Sequence, residues 1–75
     1  MHHQYFTERE QLAIVGKLYS MRKAGEVGPF WVEHQGQVLY MDVGRPFEEM
    51  RRRISWNEAE RIVKGEPWRM VLKVA

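Results

Sequence analysis

The stretch Gly28-Pro29-Phe30-Trp31-Val32-Glu33-His34-Gln35-Gly36-Gln37-Val38-Leu39-Tyr40-Met41-Asp42-Val43-Gly44 decides how this chain folds. On either side of Gln35-Gly36 the apolar residues alternate, the period of a strand rather than of a helix. Gly36 can take the positive φ that a tight turn between two strands requires. Strands are therefore predicted at residues 30–34 and 37–43, and pairing His34 with Gln37 sets their register. Val32 then faces Leu39 and Phe30 faces Met41 on one side of the hairpin. On the other, Trp31 faces Tyr40 and Glu33 faces Val38. One face is oily, while the other carries two large aromatics among charges.

Upstream, Thr7-Glu8-Arg9-Glu10 has the form of a capping box: the threonine hydroxyl accepts from the Glu10 amide, and the Glu10 carboxylate reaches back to Thr7. Leu12, Ile14, Val15, Leu18, Tyr19 and Met21 then cover about half of a helical wheel. Arg22 and Lys23 suit the negative end of a helix dipole, and Gly25 supplies a stop. These signals predict a helix over residues 8–24, followed by a linker over 26–29.

Downstream, Gly44-Arg45-Pro46 breaks the second strand. Phe47, Met50 and Ile54 fall at i, i+3 and i+7, with Glu48 and Glu49 ahead of Arg51, Arg52 and Arg53, which predicts a short helix over 46–53. Met50, Arg52 and Ile54 would equally alternate on a strand. Ser55-Trp56-Asn57-Glu58 is a second capping box, and Trp56, Ala59, Ile62 and Val63 form an apolar stripe that stops at Gly65, giving a helix over 56–64. After Pro67, residues Trp68, Met70, Leu72 and Val74 alternate with Arg69, Val71 and Lys73, as on a strand with one solvated face. The expected architecture is a single α+β domain over residues 1–75, with residues 1–6 as a flexible or partly tag-derived lead. It has two layers: an N-terminal helix, a β-hairpin, one or two short helices, and a final strand completing a three-stranded, mainly antiparallel sheet.

Composition bounds the function. At 75 residues the chain is near the lower size limit for folding without staples, and with no cysteine it has neither disulfides nor a zinc–thiolate site to supply them. No apolar run is long enough to span a membrane and no secretory h-region is present, so a soluble cytoplasmic protein is expected. Net charge is only +2, but it is uneven: residues 45–75 hold eight Lys/Arg against five Asp/Glu, the reverse of the four against five in residues 1–44. A basic C-terminal half permits an anionic partner without requiring one.

No metal or other cofactor is expected. The three histidines lack converging ligands, and the glycines are spaced as turns and caps rather than as a phosphate loop. His34 is the only base that suggests catalysis, and its neighbour Glu33 points to the opposite side of the strand, so an enzyme is a distant third reading. The candidate binding surface is Trp31 and Tyr40, with Arg69 and Lys73 from the final strand beside them and Arg45 and Arg52 from the arginine-rich helix edge. Its leading reading is a non-enzymatic interaction or regulatory module that engages another protein, including a second copy of itself. The alternative is nucleic acid, with bases stacked on the rings and phosphates met by Arg and Lys. The plainest alternative is a self-satisfied sheet face, in which acids and bases pair across strands. Glu33 and Asp42 on that face favour protein over phosphate.

Overall fold

The computed structural model describes residues 6–74, so residues 1–5 of the expected 1–6 lead lie outside the described residues, while Phe6 is partly buried against the core. Three helices and three strands follow in the order α1 (Glu8–Lys23), β1 (Phe30–Glu33), β2 (Val38–Asp42), β3 (Arg51–Ile54), α2 (Trp56–Val63) and α3 (Trp68–Val71). The strands form one antiparallel sheet ordered β1-β2-β3. This is the expected α+β class, with a three-stranded antiparallel sheet.

Both predicted capping boxes form. Glu10 N–H donates to the Thr7 hydroxyl at 3.1 Å, and Thr7 N–H donates to Glu10 Oε1 at 3.0 Å. Ser55 and Glu58 repeat the exchange at the head of α2, at 3.1 and 2.9 Å. Each box satisfies two of the amides that a helix N-terminus leaves without partners. The far ends are closed as Schellman motifs. Behind α1, Glu26 N–H reaches the Met21 carbonyl and Gly25 N–H the Arg22 carbonyl, with Gly25 at φ 78°.

The hairpin has the register read from the sequence: Phe30 opposite Met41, Trp31 opposite Tyr40, Val32 opposite Leu39 and Glu33 opposite Val38. Gln37 N–H closes the turn on the His34 carbonyl at 3.2 Å, with Gln35 at φ 59° and Gly36 at φ 86° between them. With His34 at φ 53° ahead of them, three successive positive φ values fill the four-residue loop between Glu33 and Val38, and Gln37 N–H also reaches the Glu33 carbonyl at 3.2 Å. The expected His34–Gln37 pair does not join the ladder.

Two expected elements are different. Residues 46–53 are not a helix; Arg51–Ile54 is strand β3, with Ile54 opposite Leu39 and Arg52 opposite Met41. The helical spacing was deceptive because Phe47 and Met50 are exposed and only Ile54 is buried. What fixes the strand is the loop before it. Asp42 Oδ1 accepts from Gly44 N–H at 2.9 Å and from Met50 N–H at 3.0 Å, and Val43 N–H reaches the Met50 carbonyl at 2.9 Å. These bonds fold the chain back into a second hairpin.

The C-terminal segment, in turn, is not the third strand. Its first part is the single turn α3, in which Trp68, Val71 and Leu72 face inward at i, i+3 and i+4 while Met70 stays exposed. A segment this rich in apolar residues fits either period, and β3 had already taken the place in the sheet.

The core is one cluster: Ile14 and Leu18 of α1, Val27, Leu39 and Met41 of β2, Ile54, Ala59 and Ile62 of α2, Val71 and Leu72. All three helices supply residues to the sheet's oily face. No helix among the described residues is long and apolar enough to cross a membrane.

Candidate functional site

Alternation along the strands puts Trp31 and Glu33 of β1, Val38, Tyr40 and Asp42 of β2, and Arg51 and Arg53 of β3 on the face turned away from the core. Register makes this a lattice: Trp31 lies opposite Tyr40, Tyr40 opposite Arg53, and Asp42 opposite Arg51. Both aromatics are half-buried by their neighbours and not covered by any helix of the core layer.

Arg51 holds the centre of one half. Its guanidinium carbon sits 4.0 Å from the centroid of the Trp31 ring, and its nitrogens reach Glu33 at 3.5 Å and Glu49 at 3.9 Å. Stacking a guanidinium on an indole is favourable, by about 0.5–1 kcal/mol at exposed sites. It also covers one face of the ring. Arg53, at the other end of the strand, is exposed and makes no ion pair among the described residues. Asp42 is occupied from within the loop: the amides of Met50 and Gly44, with a smaller contribution from Arg51, hold its carboxyl below the usual carboxylate range.

Of the residues singled out from the sequence, Trp31 and Tyr40 stand as expected on the outer face, side by side. Arg69 and Lys73 do not join them. Arg69 lies in α3 with its guanidinium 4.7 Å from the Trp68 centroid, and Lys73 follows that helix at φ 56°. Arg52 points to the inner side at the sheet's edge, where it grips Glu58 with both terminal nitrogens, at 3.0 and 3.4 Å. Burial alone would raise the Glu58 carboxyl, but the Arg52 and Ser55 hydrogen bonds outweigh it and hold the carboxyl low. Arg45 is exposed on the loop between β2 and β3 and shares a groove with Trp68 and Arg69. The expected surface thus divides: the aromatics occupy the sheet, and Arg45 and Arg69 gather beside Trp68.

The basic residues that do accompany the aromatics are Arg51 and Arg53, which the sequence would have delivered had the alternation of Met50, Arg52 and Ile54 been followed. A further feature lies on the loop leading into them. Phe47 is fully exposed and has φ 72°, in a turn closed by Glu48 N–H on the Arg45 carbonyl at 2.9 Å. Proline at the second position and positive φ at the third are type II features, and that third place favours glycine. An aromatic residue there is strained by about 1–2 kcal/mol. Among the described residues no group of three or more His, Asp or Glu side chains is arranged to hold a metal ion.

The carboxyls of Glu10, Asp42, Glu58 and Glu66 all lie below their ordinary values, each because of hydrogen bonds the folded chain provides. A carboxyl depressed in the folded state binds protons less readily than in the unfolded one. Its contribution to stability is therefore complete above the unfolded range, roughly pH 4–5, and is lost as pH falls through the lower folded values. Thermal melting from pH 7 downward is expected to give a level Tm to about pH 5 and a decline below it. A Tm unchanged down to pH 2.5 would show that these bonds do not form.

No protein-family model, no curated protein and no solved structure matches the chain, so its function is argued from the chemistry of this surface alone.

Proposed function

We propose that the chain acts by binding another protein, non-catalytically, through the outer face of its sheet. The observation that carries this reading is the half-buried Trp31–Tyr40 pair on the face turned away from the helices, flanked by the guanidinium of Arg53, which makes no ion pair among the described residues. Tyrosine, tryptophan and arginine are the residues most enriched at the energetic centres of protein interfaces: the two aromatics give large contact area at small entropic cost, and arginine gives several directional hydrogen bonds from one planar group. Phe47, held outward at an unfavourable φ, supports the same reading, since strain kept at an exposed aromatic suggests a contact that offsets it.

Two observations weigh for a protein partner over nucleic acid. Arg51 and Arg53 are balanced on this face by Glu33 and Asp42, so it has no net positive charge to attract phosphate. The Trp31 ring is also already covered on one side by Arg51, which leaves less of it for a stacked base.

The test measures binding of proteins captured from cell extract, comparing wild type with Tyr40→Ala, Arg53→Glu and Phe47→Gly. Each variant is expected to fold and to lose at least about tenfold in affinity for the captured partner, equivalent to about 1.4 kcal/mol. Phe47→Gly is further expected to be no less stable than wild type, because glycine relieves the backbone at that position. A partner held equally by all four chains overturns the reading. Fluorescent single-stranded oligonucleotides form the second arm: binding that weakens steeply with salt and vanishes in Arg53→Glu would establish nucleic acid instead.

A further inference from the structure

The two edges of the sheet are chemically unlike. The free edge of β3 is Arg51-Arg52-Arg53, a row of charge that discourages another strand from adding. The free edge of β1 is Phe30-Trp31-Val32-Glu33, apolar but for its last residue. Exposed main-chain donors and acceptors on an apolar edge are a template for pairing.

The phase of that edge is fixed. Asp42 N–H donates to the Pro29 carbonyl at 2.9 Å, so Pro29, Trp31 and Glu33 turn their main-chain groups towards β2. Phe30 and Val32 therefore turn theirs outward, without partners inside the sheet.

Beside this edge lies a second apolar stripe. Helix α1 runs antiparallel to β1: the Tyr19 ring lies 4.8 Å from that of Phe30, and Leu12 and Val15 line a groove with Val32 and the hairpin turn. Ile14 and Leu18 are spent on the core, yet Leu12 is 67% and Tyr19 59% exposed. Leu12, Val15 and Tyr19, at i, i+3 and i+7, make a stripe of α1 in which Leu12 and Tyr19 stay largely exposed and Val15, between them, is half-buried against the core. Glu8 stands at one end of that face, and Arg22 and Lys23 stand at the other.

We propose that this surface takes a second copy of the chain, joined β1 to β1 in antiparallel fashion about a two-fold axis through Trp31. A two-fold perpendicular to the sheet keeps the outer face outward, so residues set opposite one another must lie on the same face. The outward-turned groups of Phe30 and Val32 then select the register. Phe30 lies opposite Val32 of the second copy and exchanges both main-chain hydrogen bonds with it, and Trp31 meets its own counterpart as the close, non-bonded pair.

Centring on Val32 instead would require His34 to join the ladder, and its φ of 53° takes it out of the strand. The same axis sets α1 antiparallel to its copy, so that the acidic first turn of one helix meets the basic last turn of the other. That charge pattern fits an antiparallel self-pair and opposes a parallel one. A stable interface buries about 800 Å2 from each partner, roughly one seventh of the 5874 Å2 this chain exposes. Four residues of strand edge do not reach that, which is why the α1 stripe belongs to the same contact.

The dimer does not depend on the docking role of the outer face, and the two separate by experiment. Sedimentation velocity of the full chain across concentration is expected to show a monomer–dimer equilibrium. Hydrogen exchange of the Phe30 and Val32 amides is expected to slow at least tenfold in the dimer, while the Trp31 amide, already bonded to β2, changes little. Leu12→Glu, on an exposed helix position, is expected to weaken the dimer at least tenfold and leave the fold intact. Glu8→Lys is expected to weaken it and Glu8→Lys with Lys23→Glu to restore it. Arg53→Glu is expected to leave it unchanged. A monomer at every concentration up to millimolar, or a dimer in which the Phe30 and Val32 amides exchange freely, overturns the proposal and leaves protein docking through Tyr40 and Arg53 to stand or fall by its own test.

Discussion

Truncating Leu39 to alanine is expected to cost about 3–4 kcal/mol and to leave the chain barely folded. Leu39 is 1% exposed and sits in the middle strand, opposite Val32 on one side and Ile54 on the other. It is where both hairpins and the helix layer converge, so the surrounding side chains have little room to relax into the space it leaves. Part of the cost is the lost transfer of its methyl groups from water, and the rest is the cavity. A chain of this length has a total stability of roughly 4–11 kcal/mol, so this single loss consumes a large part of it. Urea unfolding followed by tryptophan fluorescence, at concentrations where the chain is monomeric, measures the effect. Leu12→Ala is the control: the same atoms are removed from an exposed helix position, and the expected change is within about 0.5 kcal/mol. Equal midpoints for the two variants would show that the middle strand does not hold the core together.

The same core shows which parts of the fold could be read from residues alone. Helices α1 and α2 were legible because each start is a capping box and each stop is a glycine, Gly25 at φ 78° and Gly65 at φ 109°. Those signals are local, and no distant contact is needed to interpret them. Helix α3 closes on the same Schellman pattern, Val74 N–H to the Arg69 carbonyl and Lys73 N–H to the Met70 carbonyl. There the left-handed position belongs to Lys73, so the usual glycine mark is missing. Alternation in Trp68, Met70, Leu72 and Val74 then carried a weight that Val71, which is buried, shows it did not deserve.

Strand β3 was obscured in a different way. Its conformation depends on Asp42, whose carboxylate gathers amides two and eight residues further along the chain. A side chain that organises backbone at that distance leaves no local mark to favour the alternation of Met50, Arg52 and Ile54 over the helical spacing of Phe47, Met50 and Ile54. The consequence for the candidate site is direct. Trp31 and Tyr40 were placed correctly because hairpin register is local, whereas their basic neighbours depended on which segment became the third strand. Arg51 and Arg53 hold the positions expected for Arg69 and Lys73. The balance of charge on the face is nevertheless the one anticipated, two basic residues against Glu33 and Asp42, with two arginines in place of the expected arginine and lysine.

Gly44→Ala is expected to be the most damaging single-methyl addition to the chain, at about 2–3 kcal/mol. The reason is space rather than conformation, since Gly44 does not occupy the left-handed region. A Cβ built at this position falls on the Glu48 carbonyl oxygen, with the Glu48 carbonyl carbon at 2.9 Å and the Met50 nitrogen at 3.0 Å. All three obstacles are main chain of the loop that leads into β3, so no side-chain rotation relieves them. The loop must open, and opening it pulls Gly44 and Met50 away from the carboxylate of Asp42, which then keeps its charge with fewer donors. The variant should therefore melt earlier and titrate Asp42 closer to the ordinary carboxylate range, and it should bind the docking partner more weakly because the turn carrying Phe47 has moved. Gly28→Ala gives the comparison. Its added Cβ meets the Asp42 carbonyl oxygen at 3.3 Å, a crowding that a shift of a few tenths of an ångström relieves, so its cost should be clearly smaller. If Gly44→Ala melts with the wild type and leaves Asp42 titrating as before, the loop is not closed on itself, and the strained presentation of Phe47 loses its physical basis.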